Sequence, residues 1–430
     1  MFKTLMNAFA EKGIRKKMLM TLFVLLIYRI GCFIPIPGIE VSAVSELLKD
    51  NTFFQVLSTI TGGSLANGTL FALGIVPFIN AFIIMQLLTL VIPPLERLSK
   101  EGEEGKKKIT QITRYAAIIL SIVQGIGIVI AWNNNGNIMP IFGMTSPVIT
   151  MMFIICMLTA GSCFVMWLGE RITEYGIGNG TSLLIFIGIL SGAGTSMLNE
   201  FTLISNDPTV IWRLMLYMLV VVLVFLFIIF VDLAQRNITV QYAKQIKGNK
   251  MYGGQSTHIP IRVNASGVMP IIFASAFLMF PQMIASFWPQ SGFYIFWSKW
   301  LGVGSWVYAV VMSVLILFFA FFYAKIQFNP EDIAKSIQQN GGFIPGIRPG
   351  RPTSEYLGRI NNRITLFGAI FLAIIALIPG LVFTAILTGS STLVNAFSAT
   401  GMLIVVSVAL EFNKQLENQL MMKHYRGFLK

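Results

Sequence analysis

The side chains able to do chemistry are few in this 430-residue chain, and their spacing excludes most of what they could do. His258 and His424 are the only histidines, too few and too far apart for a metal cluster, and neither H-E-x-x-H nor G-x-x-x-x-G-K-[ST] occurs. The "GIGNG" stretch, Gly176 to Gly180, has the glycines of a phosphate cradle but no lysine, so a turn is expected there. Cys32, Cys156 and Cys163 all lie in apolar segments and read as structural thiols rather than a disulfide framework. Of the acidic residues, Glu170, Asp232 and Glu411 fall at the ends of apolar runs, while Arg29 is the one clearly embedded charge. Ion-coupled transport ordinarily needs carboxylates inside the membrane, and an enzyme needs a nucleophile or paired acids. Neither is evident, and no catalytic residue, metal or cofactor is expected.

The elements that carry these residues are membrane helices. Apolar residues make up 55% of the chain and charged ones 11%, with a mean hydropathy of +0.75, whereas a soluble domain carries about a quarter charged residues. Apolar runs of span length recur from end to end, at 18–37, 69–92, 112–131, 148–168, 179–198, 210–231, 266–288, 304–325, 364–387 and 391–410. An all-α polytopic membrane protein of ten helices follows, because helices satisfy their own backbone in lipid. No cleavable leader is expected: the run after the basic residues 1–17 is itself of span length.

Lysine and arginine set the orientation. With ten spans, 27 of the 31 fall on one side, which by the positive-inside rule is cytoplasmic, together with both termini. The charge gathers in two long loops, 232–263 and 326–363. One reading is topology plus attraction to anionic lipid; the other is a docking platform for a large acidic or RNA-containing partner. In the second loop "GGFIPGIRPGRP" should form a rigid turn that aims Arg348 and Arg351.

Two spans share the pattern G-x-x-P-x-I: "GIVPFI" at Gly74–Ile79 and "GVMPII" at Gly267–Ile272, 193 residues apart and five spans apart. That spacing implies two five-helix halves, 1–200 and 201–430, inverted relative to each other, with a pathway at their interface. Pro77 and Pro270 are expected to kink their helices, either as ordinary membrane-helix kinks or as hinges of a seam. Between the first two spans, residues 53–63, "FFQVLSTITGG", are too short to cross a bilayer. Such a segment is either a stopper buried in a pore or a helix on the outer surface.

The blocks "YRIGCFIPIPG", "FALGIVPFINAFIIMQLL", "MWLGERITEYGIGNGTSLLIF", "QSTHIPIRVNASGVMPIIFAS" and "FNPEDIAKSIQQNGGFIPGIRPGRPT" resemble the SecY family, the channel subunits of the bacterial Sec protein translocon. The resemblance spans nearly the whole chain. It implies two inverted halves around an hourglass pore, a short plug half-helix and a lateral gate toward lipid. It further implies an isoleucine pore ring of Ile75, Ile79, Ile185, Ile272 and Ile404, with Thr181 where relatives often carry another isoleucine. The plug would lie within Phe54–Asn67, involving Phe54, Leu57, Ile60, Gly62, Gly63, Leu65 and Asn67. Gate residues would be Asn80, Gln124 and Asn264, alongside Pro77 and Pro270.

Docking of the SecA motor and of ribosomes would use Arg236, Lys244, Lys247, Lys250, Arg348 and Arg351. Asn237 stands where relatives often carry a second arginine. Small membrane subunits SecE and SecG, signal sequences, nascent chains and lipids complete the implied partners, in the bacterial plasma membrane. The expected activity is passive conduction of unfolded polypeptide, with sideways release of apolar helices, driven by a partner. The rivals are an ion-coupled secondary transporter with inverted repeats, a membrane enzyme acting on lipid, and a scaffold for cytoplasmic partners.

Overall fold

Each of the ten apolar runs overlaps a helix in the computed structural model, which describes residues 2–41, 44, 54, 57–58, 61–134, 136, 138–140, 147–203, 209–242, 245–247, 250–252, 256–264, 267–286, 291–302, 305–386 and 399–427. In chain order the helices are α1 (Phe2–Ala10), α2 (Lys12–Gly31), α3 (Val76–Val91), α4 (Pro93–Lys100), α5 (Glu103–Asn134), α6 (Pro147–Tyr175), α7 (Gly180–Leu203), α8 (Thr209–Leu233), α9 (Met269–Ser286), α10 (Gly292–Trp300), α11 (Trp306–Gln327), α12 (Pro330–Gln339), α13 (Arg351–Ile386) and α14 (Ala399–Gly427). Among the described residues, six stretches are long and apolar enough to cross a membrane unaided. A seventh is α3 joined to α4 through a 101° bend at Ile92, just ahead of Pro93 and Pro94. The other three expected spans fall on α2, α9 and α14.

These helices bury a stripe and leave the rest to lipid. On α2, Ile14, Met18, Thr21, Val24, Tyr28 and Gly31 are buried at three- and four-residue spacing, while Leu19, Leu22, Phe23, Leu26 and Ile30 point outward. In water those outward side chains would be a liability. In hydrocarbon they cost nothing, and helix association rests on packing and hydrogen bonds instead. The three cysteines are free thiols, with Cys32 buried.

Two compact units divide the chain, one comprising Met1–Met215, Ala276–Ser305 and Leu387–Lys430, the other Leu216–Ser275 and Trp306–Ile386. In the first, the main apolar core joins Phe54, Leu57, Leu65, Leu73 and Val76 to Ile128, Trp132, Ile154 and Leu158 of α5 and α6. In the second, α11 packs on α13, and a small sheet stands on the helices. Strand β1 (Gln235–Tyr242) pairs antiparallel with β4 (Ser256–Arg262), in register from Gln235 opposite Arg262 to Gln241 opposite Ser256. β1 also pairs with β5 (Gly342–Phe343), giving the order β4-β1-β5. A separate ribbon, β2 (Gln245–Lys247) with β3 (Lys250–Tyr252), lies between β1 and β4 in the chain.

The two long basic loops are therefore one folded layer. Ile238, Val240 and Ile261 from the first loop share a core with Ile337, Ile344, Leu357 and Ile360 from the second. Helix α12 starts where its residues dictate: the Asn329 side chain accepts from the Glu331 N–H at 3.2 Å, Pro330 occupies the first turn, and Glu331 and Asp332 face the positive helix end.

Candidate channel site

The described residues of the short segment between the first two spans, Phe54, Leu57, Ser58 and Thr61, are buried, which favours the stopper reading over the outer-surface one. Phe54 and Leu57 are 6% and 5% exposed and belong to the core of the first unit, as does Leu65. The helical turn containing Leu57 and Ser58 ends as its sequence requires. The Gly63 N–H donates to the Ser58 carbonyl at 2.8 Å, and the Thr61 N–H to the Leu57 carbonyl at 3.0 Å. Gly62 and Gly63 both adopt positive φ, 67° and 85°. This is the six-to-one bond and left-handed residue of a Schellman helix end, a conformation that side chains with a Cβ resist. Thr61 and Ser64 donate their hydroxyls back to the carbonyls of Leu57 and Thr61, so the buried turn satisfies its own polar groups.

Beyond the break the chain is tied down. The Ile36 N–H donates to the Gly68 carbonyl and the Leu70 N–H to the Ile34 carbonyl, each at 3.0 Å. Asn67 is exposed, and Ile60 lies outside the described residues. Gly62 also comes so close to α7 that a Cβ would sit 2.9 Å from the Cα of Gly188. The glycines that dilute the fifth span thus have a use at this one: Gly188 makes room for the backbone of the turn.

The paired G-x-x-P-x-I motif is a repeat of local structure. Gly74 and Gly267 have φ of 55° and 61°, and each helix begins two residues later. The Ile79 N–H donates to the Ile75 carbonyl at 3.1 Å, and the Ile272 N–H to the equivalent Val268 carbonyl at 3.2 Å. Pro77 and Pro270 are each the second residue of their helix. This corrects the expected kinks: at a first turn the missing N–H has no intrahelical partner to lose, so the prolines start α3 and α9 instead of bending them. It also shortens the second span, expected from residue 69, to a helix from Val76. The interior proline of α9 is Pro281, which sequence reasoning passed over.

Of the expected ring, Ile75, Ile185 and Ile404 are buried, whereas Ile79 and Ile272 are half-buried. Ile75 and Thr181 approach the same point: a Cβ on Gly169 would lie 3.5 Å from the Cδ1 of the one and the Cγ2 of the other. The Thr181 hydroxyl donates to the Asn179 Oδ1 at 2.7 Å, so its polar end is engaged with its own turn and its methyl is offered to Gly169. Gly176–Gly180 is a turn, closed by the Gly180 N–H donating to the Thr173 hydroxyl at 2.9 Å.

The expected gate residues separate into two groups. Asn80 and Gln124, 8% and 4% exposed, line one small cavity with Leu57, Val76, Met279 and Phe280. Among the described residues neither amide makes a hydrogen bond. Asn264 belongs to the second unit, where its Nδ2 donates to a carboxyl oxygen of Asp232 at 2.7 Å and its own Oδ1 is buried without a partner. The adjoining Val263 N–H donates to the Ala234 carbonyl, so this pair closes the base of the β1–β4 hairpin.

On the folded basic layer, Arg236, Asn237, Arg348 and Arg351 are exposed. The turn holding Arg348 is rigid, as its glycines and prolines lead one to expect: the buried Thr353 hydroxyl donates to the Arg348 carbonyl at 2.8 Å, and the Thr353 N–H to the Gly350 carbonyl at 3.1 Å. Arg351 pairs with Glu355 at 3.2 Å, an exposed contact of little energetic weight. Lys247 and Lys250 are opposite each other in the β2–β3 register, and Lys244 lies outside the described residues.

Comparisons with known proteins agree with this architecture. The family described as SecY matches residues 69–413. A protein translocase subunit SecY of Streptomyces galbus is 43% identical, with 99% of each chain covered, and one of Mycobacterium tuberculosis strain H37Rv is 39% identical over the full length of both. Among solved structures, one described as a protein conducting channel aligns with a TM-score of 0.67 at 22% identity, over 95% of this chain and 93% of that one. The canine Sec61 of a ribosome-channel complex aligns at 0.62 and 20%, over the same shares, so the fold is common to both. With its family motif matched over most of its length, and relatives of about 40% identity covering all of it, the chain belongs to the SecY family.

Proposed function

We infer that this chain is the channel-forming subunit of a protein translocase, through which unfolded polypeptide crosses the membrane and apolar helices leave sideways into lipid. The observation that carries the reading, beside family membership, is the buried turn at Leu57–Gly63: a segment too short to span, held at the core of a helical unit and closed at a glycine pair. In this reading residues 54–67 plug the resting pore, Ile75, Ile79, Ile185, Ile272 and Ile404 form its constriction, and apolar side chains there exclude water by dewetting. The repeat supports two inverted halves, 1–200 and 201–430, with the pathway between them.

Asn80, Gln124 and Asn264 are read as polar groups of the lateral gate. An entering signal helix would displace the apolar side chains around the Asn80–Gln124 cavity and offer its own backbone and polar atoms to the amides. The folded basic layer, with Arg236, Arg348 and Arg351 exposed, is the docking face for a motor such as SecA and for the ribosome, the latter paralleled by the Sec61 relative solved in a ribosome-channel complex. SecE and SecG are the expected membrane partners, and the charge bias of the loops supports cytoplasmic termini at a bacterial plasma membrane.

The deciding experiment is a crosslink between an arrested secretory chain and Ile272→Cys, in a variant with Cys32, Cys156 and Cys163 replaced. A strong, signal-sequence-dependent crosslink is expected. No crosslink from a chain that is demonstrably arrested would remove position 272 from the pathway.

A further inference from the structure

Four of the chain's seven tryptophans, Trp288, Trp297, Trp300 and Trp306, fall between residues 288 and 306, where the expected seventh and eighth spans meet. The helix in their midst, α10, has no buried residue. A helix of 9 residues is marginal in water, so this one must lean on something. Its ends are closed by local bonds. The Ser291 side chain accepts from the Tyr294 N–H at 3.2 Å, the Leu301 N–H donates to the Trp297 carbonyl at 2.8 Å, and the Ser305 hydroxyl donates to the Trp300 carbonyl at 2.7 Å. Its sides divide into three. Tyr294 and Trp297, with Leu301 just past the end, are half-buried at helical spacing and face the protein. Phe293, Phe296 and Trp300 form an exposed row at the same spacing, braced by Phe293 packing against Trp297 with ring centroids 5.9 Å apart. Ser298, Lys299 and Ile295 occupy the remaining exposed side.

In water a row of three rings would be a liability, and the chain on either side says what covers it. Helix α9 has 18 residues, about 27 Å of helix, close to the ~30 Å hydrocarbon core. The end of α9 and the start of α11 therefore lie at the same bilayer surface, and residues 287–291 and 301–305 are all that separate α10 from each. Fully extended, either connection reaches only about 20 Å, so α10 is tethered to that surface at both ends. Phe277 and Ile284 point outward from α9, and the aromatic row takes over along the chain where that apolar face stops. Flat aromatic rings gather at the boundary between headgroups and acyl chains, and a lysine beside them keeps its ammonium in water. A protein partner is disfavoured by the lack of a polar rim. The Ser298 hydroxyl turns back to the Ile295 carbonyl at 3.2 Å, and Lys299 is the sole charged residue of the helix.

We propose that α10 is an interfacial anchor whose partner is the lipid bilayer itself. It lies in the headgroup region of the leaflet at which α9 ends, with Phe293, Phe296 and Trp300 inserted toward the acyl chains and Ser298 and Lys299 facing water. Insertion holds the end of α9 at a fixed depth. Because the inserted row is uncharged, the anchor works in neutral and anionic lipid alike.

The test uses the full chain in its membrane complex, reconstituted in vesicles, with the three native cysteines replaced and a nitroxide on one new cysteine. At Phe296→Cys and at Trp300→Cys, spin relaxation should respond several-fold more to oxygen, which partitions into lipid, than to a water-soluble nickel chelate. At Ser298→Cys the preference should reverse. The same pattern is expected in phosphatidylcholine vesicles and in vesicles that also contain phosphatidylglycerol. Nickel access at positions 296 and 300 equal to that at 298 would put α10 in water and overturn the proposal. A label at 296 shielded from both reagents would overturn it too, because a protein then covers the row. A pattern seen only with phosphatidylglycerol would replace aromatic insertion by headgroup binding at Lys299. A label-free measurement decides if the nitroxide disturbs the fold. Lipids brominated high on the acyl chain should quench the tryptophan emission of the unlabelled parent more than that of Trp300→Phe, and equal quenching would place Trp300 outside the bilayer and sink the anchor.

Discussion

The amide of Asn264 donates to the carboxyl of Asp232 across the base of the β1–β4 hairpin, 32 residues apart in the chain and both buried. The resemblance to relatives marks Asn264 as a gate residue. Its bond has a structural consequence of its own, because Asp232 lies at the end of α8 and Asn264 just ahead of α9, so the pair joins the folded basic layer to the helix that carries Ile272. Asp232→Ala should cost about 1.5–3 kcal/mol of stability in the purified chain, the range for a hydrogen bond to a charged or buried group. The exchanged pair, Asp232→Asn with Asn264→Asp, keeps one donor facing one acceptor and should recover most of that loss. Thermal unfolding of the two variants in detergent measures it, and failure of the exchange to recover stability would show that position, not pairing, matters.

Gly62 and Gly63 should respond differently to alanine. Both have positive φ, so each substitution carries the left-handed penalty of about 1–2 kcal/mol. Only at Gly62 does the new Cβ also meet backbone, 2.9 Å from the Gly188 Cα, whereas Gly63 faces open space. Gly62→Ala should therefore leak ions from reconstituted vesicles clearly more than Gly63→Ala. Equal leak would mean that the close approach to α7 is not part of the seal.

Ile79→Ser and Ile272→Ser should each raise resting ion conductance, because a hydroxyl in a narrow apolar constriction favours wetting. Ile316→Ser is a suitable control, since Ile316 is fully buried in α11 of the second unit and outside the expected ring. Conductance that rises in the control as much as in the two ring variants would point to general loosening.

Arg348 is exposed, and among the described residues only its backbone carbonyl is engaged, by Thr353. Arg348→Glu should thus leave stability within about 0.5 kcal/mol while lowering motor-driven secretion well below membrane-protein insertion. Thr353→Val removes the bond that shapes the turn and should cost about 1 kcal/mol, weakening docking with the arginine still present. Secretion and insertion assayed side by side separate the two. Equal loss of both activities in Arg348→Glu would argue against a docking contact.

The spans were legible in the sequence because hydrophobic length is a local, nearly additive property: in lipid each run needs only enough apolar residues and its own backbone bonds. The glycine pair after Thr61 likewise announced the break. What the sequence could not settle was partner choice. That Gly62 would seat on Gly188, that Arg29 would hold the Gly62 carbonyl, that Asn264 would bind Asp232, and that loops 232–263 and 326–363 would share one sheet all depend on elements brought together from distant parts of the chain. A polar group in an apolar setting must find a partner, but which partner is decided by the geometry of packing. The prolines of the repeat show the same division. Their positions were plain, yet whether Pro77 and Pro270 bend a helix or begin one turned on where Gly74 and Gly267 let the preceding chain stop, and only the folded backbone decided that.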